Sequence, residues 1–154
     1  GTMCAALAMY ENGGGTVTTI DPRIDPNFIR NLQNIFPEPW FESINFIEMT
    51  SQNFFAKLDD EDTYDFVYID GDHTYEGVKS DWEQSKDRFN KFLLFDDYHL
   101  PTKNEDNDIE CAHLIDQIED DTKQLIIMDR RIFFDDRGLT DEEVDYGQVL
   151  LSKV

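Results

Sequence analysis

The stretch YDFVYIDGDHTYEGVKSDW, residues 64–82, decides the fold because it runs from a strand pattern through a polar turn into a helix pattern. Its DFVYI segment is short, apolar and rich in β-branched and aromatic residues, which predicts a buried strand. Tyr75, Val78, Trp82 and Phe89 then recur at spacings of three, four and seven. This spacing predicts a helix with one apolar face.

Short apolar runs and helical patterns alternate on both sides of this stretch. Further strands are predicted at residues 16–20, 44–49, 92–95, 124–128 and 147–154, and further helices at residues 28–36, 53–58 and 111–118. This alternation is typical of an α/β fold, here a doubly wound, Rossmann-like and mostly parallel sheet with helices on both faces. No helical pattern separates the last two runs, so we expect them to pair as an antiparallel hairpin at a sheet edge.

The length and charge of the chain limit the classes of function. The 154 residues predict a single domain that covers residues 1–154. With 34 acidic and 13 basic residues, the formal net charge is −21, which disfavours binding to nucleic acids or anionic membranes and favours cations. The sequence shows no membrane-span or signal-peptide pattern, and Cys4 and Cys111 lie far apart. These features predict a cytoplasmic protein with reduced cysteines.

Acidic side chains follow two of the predicted strands. Asp70, Asp72 and His73 come after one of them, and Asp96 and Asp97 come after the next. Ligands of open α/β sheets bind at the carboxyl ends of the strands, so these side chains are expected on one rim. Converging carboxylates raise one another's pKa unless a cation lies among them, and oxygen ligands suit Mg²⁺, Ca²⁺ or Mn²⁺. Alternatively, one or two of them cap the following helix, as Asp72 can do.

Asp21 ends an earlier strand, in the sequence TVTTIDP. A carboxylate at such a position accepts hydrogen bonds from ribose hydroxyls in nucleoside sites, although it can also be a turn residue before Pro22. Gly13–Gly15 precede a strand, so they predict a helix stop and turn instead of a phosphate loop. His99 and His113 are weaker candidates, the first in a loop beside the acidic strand end and the second on a helix.

The order of these motifs resembles the class I S-adenosylmethionine-dependent methyltransferases. The likeness rests on TVTTIDP, MTSQNFF, YDFVYIDGDHTYEGVKSDW and FLLFDDYH, followed by a helix and a terminal hairpin. Within that family, the chain is most similar to the branch with a DGDH(S/T)Y motif, which is related to metal-dependent catechol-type and macrolide-sugar O-methyltransferases. The resemblance implies methyl transfer from S-adenosylmethionine to a hydroxyl of a small acceptor, such as a sugar or a phenol.

The resemblance also implies roles for particular residues. Asp70, Asp96 and Asp97 correspond to ligands of a divalent metal, with Mg²⁺ as the expected ion. His73 corresponds to the general base, which gives His73 and Asp70 catalytic roles. The implied cofactor contacts are Gly1, Thr2, Asp21, Ser51 and Asp70.

The sequence departs from that family at its start. The family's first strand and its glycine loop are missing, and GTMCAALAMY corresponds to the end of that loop and its helix. We therefore expect an N-terminally truncated domain, with Gly1 and Thr2 as remnants of the cofactor loop. Two alternatives to methyl transfer stay open, a nucleoside- or metal-binding module without turnover and metal-dependent hydrolysis at the acidic strand ends. The expected partner is a small-molecule hydroxyl acceptor bound partly by the loop at residues 100–108, and formation of a homo-oligomer is left open.

Overall fold

The computed structural model of the protein describes residues 1–99, 110–127 and 146–154. The chain divides into two compact units, residues 1–59 and residues 60–154, and each is described by itself. The whole predicted acceptor loop, residues 100–108, lies outside the described residues, as does Met128 of the predicted strand at 124–128.

The first unit is a small α/β structure built around two parallel strands. Its strands β1 and β2 pair in regular register from Val17 opposite Ile44 to Asp21 opposite Glu48. Both carboxyl ends therefore lie at the same edge of this two-stranded sheet. The elements in chain order are α1 (Thr2–Glu11), β1 (Val17–Asp21), α2 (Pro26–Ile35), α3 (Glu38–Phe41), β2 (Ile44–Glu48) and α4 (Ser51–Phe55).

The glycines after α1 end that helix, as the sequence predicted. Gly13 has a φ of +84°, a left-handed conformation that glycine adopts without steric cost. The Gly13 N–H donates to Tyr10 O, and the Gly14 N–H donates to Met9 O at 2.9 Å. These two bonds form the Schellman pattern, which satisfies carbonyls that the end of a helix leaves unpaired.

The second unit contains a four-stranded sheet with the order β3-β4-β6-β5. β3 and β4 are parallel, and β6 pairs antiparallel with both β4 and β5. This arrangement confirms the predicted α/β class with its antiparallel C-terminal strands. The elements in chain order are β3 (Tyr64–Ile69), α5 (Tyr75–Ser85), β4 (Phe89–His99), α6 (Cys111–Ile115), β5 (Gln124–Ile127) and β6 (Tyr146–Ser152).

The core of the second unit is centred on alternate residues of β4. Leu93 and Phe95 are 0% and 1% exposed, and they belong to one buried cluster with Ile115 of α6 and Leu151 of β6. Val78 of α5 joins the same cluster, so the apolar faces of both helices cover this part of the sheet. Burial of an aliphatic side chain of this size contributes about 1.5 to 3 kcal/mol.

One residue of the predicted helical pattern was assigned wrongly. Phe89 fits the helical spacing, but it is the first residue of β4, and α5 ends at Ser85. Phe89 is nevertheless 3% exposed, because it enters the same core from the strand. Spacing alone cannot distinguish these two routes to burial.

Among the residues that the structure describes, no helix combines the length and the apolar character needed to cross a bilayer. The longest of the described helices, α5, has 11 residues.

We expect Leu93→Ala to lower the free energy of unfolding by about 2 to 5 kcal/mol, because it opens a cavity at the centre of the core. Chemical denaturation followed by circular dichroism measures this change. Leu125→Ala is the matched control, since Leu125 lies on the edge strand β5 and is 42% exposed. Equal losses in the two variants would contradict the assignment of the core.

Candidate functional site

The DGDH turn, residues 70–73, joins β3 to α5, and the side chains of Asp72 and of the next residue, Thr74, bond to the start of the helix. Asp72 Oδ1 accepts a hydrogen bond from the Thr74 N–H at 3.0 Å, and Thr74 Oγ1 accepts one from the Gly77 N–H at 3.2 Å. The bonds from Thr74 lower the pKa of Asp72 below its usual range. Asp72 therefore has the structural role that the sequence allowed as an alternative.

Gly77 lets the first turn of α5 close against the DGDH turn. A Cβ atom at this position would lie 2.6 Å from both Cβ and Cγ of Asp72 and 2.8 Å from its carbonyl oxygen. Glycine weakens a helix, so a glycine in the first turn of a helix indicates that another group approaches the backbone closely there. Sequence reasoning did not use that signal.

The second acidic strand end contains a β-bulge. Phe95 of β4 pairs with Val149 of β6, and Tyr98 pairs with Gly147. β4 therefore advances by three residues where β6 advances by two. Asp97, within this bulge, has a φ of +50° and is the only non-glycine residue with positive φ in the described parts of the chain. Adjacent residues in a regular strand point to opposite faces, whereas a bulge changes the direction of a side chain.

The bulge places Asp97 against His73 of the DGDH turn. His73 Nε2 lies 2.9 Å from Asp97 Oδ2, with 38% of the His73 side chain exposed. Asp70 completes the group, since one ligand atom from each of these three residues lies within 4.8 Å of the others. Asp70 and His73 also line a small cleft together with Val78, Phe95 and Cys111.

Burial and neighbouring carboxylates disfavour the ionised form of Asp70. Desolvation by the surrounding protein and the charges of Asp96 and Asp97 raise the pKa of Asp70 above its usual range. The nearby thiol of Cys111 responds in the same way, because burial and the charge of Asp97 raise its pKa to about 11. A cation at this position would stabilise the ionised carboxylates.

Asp96 is held by hydrogen bonds from the neighbouring strands. Its Oδ2 accepts a bond from the Tyr68 hydroxyl of β3, and its Oδ1 accepts one from Gln148 Nε2 of β6 at 3.0 Å. Desolvation and the bond to Asp96 raise the pKa of Tyr68. Asp96 nevertheless lines the same cleft as Asp70 and His73, although it does not belong to the group of ligand atoms formed by Asp70, His73 and Asp97. Sequence reasoning missed Tyr68 and Gln148.

The predicted cofactor contacts of the first unit lie near the carboxyl end of its sheet. Asp21 ends β1, is exposed, and accepts the Arg23 N–H at 2.6 Å through Oδ1, so its other oxygen is accessible to an external hydroxyl. Ser51 is the first residue of α4, directly after β2. Thr2 Oγ1 lies 2.9 Å from Thr19 Oγ1, two residues before Asp21, so α1 begins beside the same strand.

Gly1 precedes α1, and its carbonyl accepts the Ala5 N–H at 3.1 Å. His113 is exposed on α6 and does not belong to the group formed by Asp70, His73 and Asp97. The backbone of His99 ends β4, and its side chain lies outside the described residues.

Parallel strands with functional side chains at their carboxyl ends are a property of nucleotide-binding α/β proteins. The fold is similar to the crystal structure of a putative O-methyltransferase from Klebsiella pneumoniae, with a TM-score of 0.57 and 10% sequence identity. That alignment covers 88% of this chain and 60% of the other, so the chain spans 60% of the length of that structure.

A family model described as a methyltransferase domain matches residues 1–98, which is more than half of the chain. The chain therefore belongs to this methyltransferase family. The match includes the DGDH turn and both acidic residues of β4. No curated protein matches the sequence.

We expect Gly77→Ala to lower the free energy of unfolding by about 1 to 3 kcal/mol, because the new methyl group would overlap Asp72. The sign is the test, since an ordinary glycine-to-alanine change inside a helix stabilises it by about 1 kcal/mol. Urea denaturation of the variant beside the unchanged protein measures the difference. A stabilised variant would show that the close approach to Asp72 is not present in solution.

We expect Asp70→Asn to raise the melting temperature of the metal-free protein at neutral pH. Because the folded-state pKa of Asp70 is raised, ionisation of Asp70 costs stability as the pH rises through that pKa. The gain should therefore be present above the raised pKa and vanish below the ordinary aspartate pKa. Thermal denaturation between pH 3 and pH 8 follows it.

Asp121→Asn is the control for this substitution, because it removes one exposed charge elsewhere in the second unit. An equal gain in both variants would mean that the overall charge of −21, and not the local cluster, sets the effect.

Proposed function

We propose that the chain takes part in methyl transfer from S-adenosylmethionine to a hydroxyl of a small molecule such as a sugar or a phenol. The observation that carries this proposal is the 2.9 Å contact between His73 and Asp97 beside Asp70, in a chain of a methyltransferase family. A histidine beside two carboxylates can accept a proton, and a hydroxyl nucleophile has a proton to lose.

The residues around Asp70 suit a divalent metal. Two carboxylates and an imidazole offer ligand atoms within 4.8 Å of one another. Burial, and after it the charges of Asp96 and Asp97, raise the pKa of Asp70, and a cation would balance those charges. Carboxylate oxygens are the ligands that Mg²⁺ and Mn²⁺ prefer. Asp70 and Asp97 would hold the ion, and its positive charge would lower the pKa of an acceptor hydroxyl.

His73 is suited to the role of proton acceptor through its contact with Asp97. When the Nε2–H of His73 donates to Asp97, the Nδ1 atom keeps its lone pair. Nδ1 would then take the hydroxyl proton, and the Asp97 carboxylate would stabilise the resulting imidazolium. The Asp97 side chain has this orientation because of the bulge in β4.

The residues of the first unit would contribute cofactor contacts. Bound S-adenosylmethionine supplies a methyl group that is already activated, so the protein's main task is alignment. The accessible oxygen of Asp21 is suited to accept a bond from a ribose hydroxyl. Ser51, Gly1 and Thr2 are proposed as further contacts of the cofactor in this unit. The net charge of −21 favours a neutral or cationic acceptor over a phosphorylated one.

The experiment is incubation of the protein with labelled S-adenosylmethionine and a panel of sugars and phenols, with Mg²⁺ or with a chelator. We expect His73→Ala to lower kcat by about 10² to 10⁴, the usual contribution of a general base. Asp97→Asn should also lower kcat, because asparagine tolerates the left-handed backbone at this position but does not carry the charge that orients His73.

His113→Ala is the matched control, because it removes an exposed histidine from α6. A His73→Ala variant that retains half of the original turnover would exclude His73 as the base. Calorimetric binding of S-adenosylmethionine without transfer to any acceptor would favour a binding module without turnover.

A further inference from the structure

The residue before α6 contacts the DGDH turn at two points. The Glu110 N–H donates to His73 O at 2.8 Å, and Glu110 Oε2 accepts the Tyr75 N–H at 2.7 Å. The Cys111 thiol also lies 3.8 Å from His73 O. These bonds join residues at least 35 positions apart in the chain, so they are tertiary contacts that fix the turn from outside.

These contacts restrict the backbone that carries the His73 imidazole. His73 O and Tyr75 N are separated by one residue, Thr74, so Glu110 holds both ends of a three-residue segment. The Tyr75 N–H lies in the first turn of α5, where no carbonyl of the same helix can accept it. A carboxylate at a helix N-terminus also interacts favourably with the helix dipole.

Glu110 is carried by a helix that is anchored in the core. Cys111, Ala112, Leu114 and Ile115 of α6 are all buried. The Lys123 ammonium donates to Ile115 O, at the end of this helix, at 3.0 Å and to Ile118 O, just beyond it, at 2.9 Å. The contacts on His73 and Tyr75 therefore start from a fixed support.

We propose that Glu110 is a positioning residue for His73, holding the His73–Tyr75 segment so that the imidazole stays against Asp97. The proposal rests on the proposed function, in which His73 is the proton acceptor. Glu110 acts through the backbone on either side of Thr74 and does not need to touch the acceptor. Its role is to limit the positions that the imidazole can occupy, and small displacements of a catalytic group lower rates by as much as about 10²-fold.

The first readout is amide hydrogen exchange at Tyr75. In Glu110→Ala we expect the Tyr75 amide to exchange at least about tenfold faster, because its acceptor is lost. Glu110→Gln keeps a carbonyl oxygen at the same distance along the side chain and should restore most of the protection. The Gly77 amide, bonded to Thr74 Oγ1, is the internal reference and should change little.

The second readout is the ¹⁵N spectrum of the His73 ring. In the unchanged protein we expect the tautomer with hydrogen on Nε2, the atom that faces Asp97. Glu110→Ala should give a mixture of tautomers, and Glu110→Gln should return the spectrum toward that of the unchanged protein. Gln117→Ala is the matched control. It removes the acceptor of the Tyr75 hydroxyl, a residue near Glu110 in the chain, but leaves the contacts of Glu110 with His73 and Tyr75 in place.

The third readout is turnover. We expect Glu110→Ala to lower kcat about 10- to 100-fold, with KM for S-adenosylmethionine within about twofold, and Gln117→Ala to leave both near their original values. If the unchanged protein transfers no methyl group, the proposed function fails. Amide exchange and the ¹⁵N spectrum of the ring still test whether Glu110 positions His73. Unchanged Tyr75 exchange or an unchanged His73 tautomer in Glu110→Ala would overturn the positioning role.

Discussion

The candidate site depends on one extra residue in β4. β4 lies between β3 and β6 in the sheet, and its buried residues Leu93 and Phe95 set its position. The bulge after Phe95 turns Asp97 toward His73, at the cost of a left-handed backbone that a non-glycine residue adopts with a penalty of about 1 kcal/mol. Gly147 of β6, which pairs with Tyr98 after the bulge, has no room for a side chain, because a Cβ atom there would lie 2.8 Å from Ile126 O of β5. The strained residue therefore lies at the candidate site.

The four carboxylates at these strand ends have different partners, and this difference determines which of them can react. Asp72 accepts the Thr74 N–H, and Asp96 accepts bonds from Tyr68 and Gln148. Protein groups thus satisfy two of the four. Asp70 and Asp97 remain available to a cation, and Asp97 lies 2.9 Å from Nε2 of His73. Hydrogen bonding inside the sheet therefore leaves Asp70 and Asp97 as the stronger candidates for the proposed chemistry.

Sequence reasoning reached the fold because the local signals agreed. Short β-branched runs, helical spacing in α5 and glycines after α1 each predicted the structure that formed, and Phe89 failed because a strand can bury an aromatic residue as well as a helix can. The site was harder to predict. A regular strand would direct only one of Asp96 and Asp97 toward the DGDH turn, and the bulge that selects Asp97 depends on pairing with β6, some fifty residues away. Tyr68, Gln148 and Glu110 act only through tertiary contacts, which leave no local pattern.

The family match and the site do not end at the same residue. Residues 1–98 include Asp70, His73 and Asp97, so the matched region contains the proposed reactive groups. Gln148, which donates to Asp96, lies beyond the matched region. Glu110, which contacts the DGDH turn and the start of α5, also lies beyond it. The strand β6 that pairs with the bulge also lies beyond it. The C-terminal part of the second unit therefore helps to set the geometry of the proposed reactive groups, although it follows them in the chain.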